Sequence, residues 1–139
     1  MKKVFLLFVM LMINTITTAQ DFNVVGKWKA TDTDGGDIFL VFDSKGFISL
    51  SNGVETYGGE AVDMGNDVIV DFTYEINMER KPFSLDFVMY NSEDRSNFDR
   101  KRGYFKIINE NMIELKNEVF SEVGARYEDL YKYTFKREI

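Results

Sequence analysis

The 139-residue chain contains no histidine and no cysteine. Their absence removes imidazole general bases, Ser-His and Cys-His nucleophile pairs, and nearly all zinc and copper sites. Any chemistry would rest on carboxylates, tyrosines, lysines or arginines. Asp71 and Asp86 fall on the polar faces of two adjacent predicted strands, and paired carboxylates can divide acid and base roles between them. Two solvated aspartates on an outer sheet face fit the same pattern and are the preferred reading. The run TDTDGGD brings Asp32, Asp34 and Asp37 together. Counted from Asp32 it lacks the glycine and glutamate of a calcium loop, so a hairpin turn is expected. These residues point away from an enzyme and call for no cofactor and no metal.

Two other groups carry binding chemistry. The chain has 13 phenylalanines, seven tyrosines and one tryptophan, and many of them recur on one face of alternating segments. Phe72, Tyr74, Phe87, Tyr131, Tyr133 and Phe135 are the candidate wall of an interior site, with Phe83 on the same face. Tyr74, Tyr131 and Tyr133 would act as polar anchors. The second group is RSNFDRKR, Arg95 to Arg102, a basic cluster around Phe98 within the charged loop 91–102. It reads either as a contact loop for a protein partner or as a solvated loop neutralised by Glu93, Asp94 and Asp99.

The elements that would position these residues are strands. Val68, Val70, Phe72, Tyr74 and Ile76 share one face of a run whose other face is mostly polar. Phe83, Leu85, Phe87 and Met89 repeat the pattern, as do Tyr131, Tyr133, Phe135 and Arg137. Period-2 alternation of this kind marks half-buried antiparallel strands. Gly, Asn and Asp turn signals break the chain into about nine segments, near 24–32, 37–43, 46–51, 54–63, 67–77, 82–90, 103–109, 112–118 and 129–137. Gly58 and Gly59 mark a bulge or corner within one of them. Loop 91–102 and a segment over 119–128, read as holding a helical turn, are the long connections. The expectation is an all-β, antiparallel up-and-down barrel of eight to nine strands in one domain.

Residues 1–19 read as a secretory signal peptide: Lys2 and Lys3, then the apolar run Val4 to Ile13, then Thr17 and Ala19 before a cut. The apolar run is short for a permanent span, so no membrane span is expected after cleavage. The domain is then 20–139, exported to the periplasm or beyond the cell. Without cysteines it forms no disulfides and depends on its core. The formal charge of −6 becomes −8 without the two leader lysines, which disfavours nucleic acid and anionic membranes as partners.

Gly26-Lys27-Trp28 opens the first predicted strand, with Ala30 on the same face, and Arg137 lies on the last strand, which would close beside the first. Gly26, Trp28 and Arg137 would form a structural plug at one end, the guanidinium lying on the indole. This G-x-W signature with a packing arginine resembles the lipocalins and the wider calycin superfamily, and in particular small secreted bacterial lipocalin-like proteins. The stretch KRGYFKIINENMIELKN, Lys101 to Asn117, is similar to their late strands. The chain departs from the larger lipocalins in lacking a long C-terminal helix, disulfide cysteines and a Thr-Asp-Tyr motif. The resemblance implies an exported binding protein for a small apolar or amphipathic ligand held in a cup opposite Trp28. The alternative is a secreted interaction module or hydrolase inhibitor acting through its loops.

Overall fold

The computed structural model describes residues 21–121 and 124–139, so the leader assigned to 1–19 lies outside the described residues. Eleven short strands form one antiparallel sheet that curls into a nearly closed barrel. They are β1 (Gly26–Thr31), β2 (Asp37–Phe42), β3 (Ile48–Ser51), β4 (Thr56–Gly58), β5 (Val62–Asp63), β6 (Ile69–Asn77), β7 (Phe83–Asn91), β8 (Phe98–Lys101), β9 (Gly103–Asn109), β10 (Met112–Asn117) and β11 (Lys132–Arg137). Their order is β4-β3-β2-β1-β11-β10-β9-β7-β6-β5, with β8 paired on β7. Successive strands are neighbours nearly everywhere, the up-and-down arrangement expected of such a pattern. Among the described residues no helix is long and apolar enough to cross a membrane.

The strand count exceeds the expected eight to nine for two local reasons. Segment 54–63 breaks at Gly58 and Gly59, whose φ values are 104° and 99°. A Cβ at Gly58 would stand 2.6 Å from the Ile48 carbonyl oxygen, so only glycine fits this corner. The charged loop 91–102 also contains a strand: β8 pairs with β7 through Tyr90↔Phe98 to Phe87↔Lys101. Its charges hid its pairing, because both of its faces carry polar side chains.

The corner at Gly58–Gly59 nearly closes the barrel. The Gly59 amide donates to the Ile48 carbonyl of β3, and its own carbonyl accepts from the Phe72 amide of β6, 2.9 Å away. A single bridge, Phe47↔Thr73, and the Tyr74 amide on the Gly46 carbonyl continue the seam.

The core follows the alternation. Trp28, Leu40, Phe42, Leu85, Ile113, Leu115 and Phe135 are fully buried, and Phe72, Tyr74, Ile76, Phe83, Ile107 and Phe120 pack against them. Tyr131 departs from its expected inward position. β11 begins at Lys132, and Tyr131 precedes it with half of its surface exposed, its amide tied to the Ser121 hydroxyl. The two 3-10 turns, Glu118–Phe120 and Tyr127–Asp129, fall in the connection where a helical turn was expected.

Candidate functional site

Three places bring the chemistry-bearing residues together. At one end, Trp28 and Arg137 face each other across the β1–β11 ladder. The guanidinium lies 4.2 Å over the indole. It donates to the carbonyls of Asn23 and Val25, both at 2.7 Å, and of Glu110 at 3.0 Å. The indole Nε1 donates to the Val24 carbonyl at 2.7 Å. Gly26 sits at φ 135°, and a Cβ there would stand 3.1 Å from the Arg137 Nη1. The glycine is required by its backbone angle and by the guanidinium beside it.

The interior is the second place. Phe72, Tyr74, Phe87, Tyr133 and Phe135 line it, as their alternation indicates, and a further residue of the chain packs against three of them. Phe120, on the 3-10 turn after β10, reaches in from the end opposite Trp28. Its ring lies 5.3 Å from that of Tyr133, 6.0 Å from Phe135 and 6.3 Å from Phe87. Phe42 meets Tyr74 edge-on at 4.9 Å. The two interior phenols are committed: Tyr74 donates to the Asp43 carbonyl at 2.9 Å and Tyr133 to the Asp32 carboxylate at 3.0 Å. Burial, and then the nearby Asp43, raise the Tyr74 pKa; burial and the Asp32 hydrogen bond raise that of Tyr133.

Asn117 holds the turn that carries Phe120. It is fully buried, donates through Nδ2 to the carbonyls of Leu85 and Lys101, and accepts the Val119 amide at 2.9 Å as the cap of the turn. Glu118 locks the same turn to the chain before β9, its carboxylate accepting from the Arg102 amide at 2.9 Å. Sequence patterning did not single out Phe120, which belongs to no alternating set, or Asn117, whose polar side chain ends the buried face begun by Ile113 and Leu115. An asparagine directly before a turn is a capping signal that could have located the latter.

The third place is the outer face of β6, β7 and β8. Asp71 and Asp86 share this face but are not a pair. Asp71 stands opposite Tyr90, and Asp86 opposite Glu75. Each carboxylate has an arginine instead: Arg95 reaches Asp71 at 3.3 Å, and Arg100 bridges Glu75 and Asp86 at 2.6 and 2.9 Å. The Arg100 hydrogen bond holds Glu75 below the ordinary carboxylate range, and the two carboxylates raise the arginine.

Beside them the Tyr90 and Phe98 rings meet at a tilt with centroids 5.6 Å apart, and the Arg95 guanidinium lies 4.3 Å over the Tyr90 ring. Phe98 is 52% exposed. In the turn TDTDGGD, Asp32 is taken by Tyr133 and by Thr33, and Asp37 by Lys29, as in a closed hairpin. Among the described residues no three acidic side chains converge as a metal site would require.

Fold and site together define a nearly closed, antiparallel all-β barrel with an arginine-capped tryptophan and an aromatic interior. Among solved structures it is similar to Treponema pallidum Tp0751 (pallilysin), at 17% identity over 96% of this chain and 98% of that one, with a TM-score of 0.47. No protein-family model matches the chain, and no curated protein matches it significantly.

Proposed function

We propose that the chain is an exported, lipocalin-like barrel that acts as a protein-interaction module through the outer face of β7 and β8. The carrying observation is the Tyr90–Arg95–Phe98 cluster. It gathers two rings of the paired strands β7 and β8 and an arginine of the turn between them on one surface, and such residue types dominate interface energetics. Phe98 packs against Tyr90 and its backbone is paired into the ladder, so it loses little freedom when a partner covers it. The lipocalin-like reading is supported by Gly26, Trp28 and Arg137 acting as one unit. Export is supported by the leader pattern over 1–19.

Crosslinking of intact producing cells, followed by purification of the chain, tests this role. The unaltered protein is expected to yield a discrete protein adduct that Arg95→Glu and Phe98→Ala each abolish. Val54→Ala, at a 92% exposed turn residue, is expected to leave it intact. An adduct unaffected by both Arg95→Glu and Phe98→Ala would refute the assignment.

A second reading, a small apolar ligand in the cup, is favoured by one feature. Phe120 already makes with Phe87, Tyr133 and Phe135 the ring contacts such a ligand would make, and it sits on a turn of only three residues. Binding would then require Phe120 to leave.

A further inference from the structure

The barrel wall changes character where β7 and β9 separate. They pair only at Phe83↔Phe105 and Ser84↔Tyr104, whereas β9 continues on β10 as far as Asn109. Past Phe105 the chain on the β7 side turns away at Lys81 and Pro82. The separation opens a groove of about 660 Å³, within the range of small-molecule sites.

Its apolar lining comes from residues that otherwise face the core: Phe83, Phe105 and Ile107, with Pro82 at the mouth. Its rim is basic. Lys81, Lys106, Lys116 and Lys132 border it, against the single carboxylate of Glu114. Among the described residues Lys106 and Lys132 have no ion-pair partner. The rim runs into a basic outer wall, where Lys136 of β11 stands opposite Lys29 of β1. This local excess of lysines belongs to a chain whose net charge is −6.

We propose that the groove between β7 and β9 binds a small amphipathic anion, its apolar body on Phe83 and Ile107 and its acid group among Lys81, Lys106 and Lys132. Apolar walls beneath the ammonium groups strengthen their attraction for a carboxylate, because the pair is partly withdrawn from water. The acidic remainder of the molecule repels an extended polyanion but not a ligand that fits inside the groove. The site lies at the opposite end of β7 from Tyr90 and does not rest on the interaction reading.

Decanoate is the probe, titrated into the full chain labelled with 15N, with decanol as its uncharged counterpart. Decanoate is expected to shift the amides of Lys81, Phe83 and Tyr104 to Ile107, and to bind more tightly than decanol. Lys106→Glu with Lys132→Glu, both at exposed positions, is expected to weaken it about tenfold. Lys136→Glu, a comparable reversal outside the groove, should have a much smaller effect. The proposal is overturned if decanoate produces no shifts, or if decanol binds equally well. Equal weakening by Lys136→Glu, or shifts centred on Phe87 and Tyr133, overturns it too.

Discussion

Arg137 ties three segments together: the chain before β1, the strand β1 itself, and the β9–β10 turn at Glu110. A lysine would keep the charge but could not span three carbonyls while lying flat on the indole. Arg137→Lys is therefore expected to lower stability by about 2 kcal/mol, read as a fall in the urea midpoint with the slope unchanged. A change within experimental error would show that the cap is ornamental. Glu75 supports a second prediction at this scale. Its folded pKa lies below its unfolded one, so its contribution is fully present above the ordinary glutamate value of about 4.3 and is lost as pH falls through the folded value. Glu75 is half exposed, so the effect is small after solvent screening. Stability curves of Glu75→Gln and the unaltered chain should differ above pH 5 and converge in acid. Curves that run parallel down to acid pH would remove Arg100 as the cause.

Among the elements, the turn Glu118–Phe120 governs the state of the interior. It is too short to hold itself and is fixed from outside, by Asn117 below and by Glu118 on the Arg102 amide. Asn117→Ala leaves the Leu85 and Lys101 carbonyls without their shared donor and removes the cap. A cost of about 2 kcal/mol is expected, with faster hydrogen exchange at Val119 and Ser121 before the flanking strands open. Exchange that quickens uniformly over the barrel would mean that the turn and the sheet unfold as one unit. This element also shows where sequence reasoning stops. β6, β7 and β11 were legible because a buried face and a wet face alternate along them. β8 was not, because its pairing with β7 is a backbone matter and its side chains are Phe, Asp, Arg and Lys. Phe120 was not, because its burial depends on where a turn happens to project, which no local period encodes. Of the interior set read from alternation, only Tyr131 lies outside, one residue before its strand begins.

The molecule as a whole is a nearly closed barrel with its own aromatic side chains packed inside, Trp28 beneath Arg137 and the partly buried Phe120 against Tyr133 and Phe135. No buried side-chain polar atom among the described residues lacks a partner, so the interior is satisfied as it stands. What the fold leaves unsatisfied is outside, in the exposed Phe98 beside Arg95 and in the lysine-rimmed groove. Recognition by these surface groups, and not in the cup, is the central claim. It is tested most directly by placing one photoreactive phenylalanine analogue at position 98 or at position 120 and irradiating the full chain in the cells that make it. The account predicts a discrete protein adduct from position 98, and from position 120 only crosslinks within the chain. A small-molecule adduct from position 120 with none from position 98 would contradict it and make the barrel a carrier.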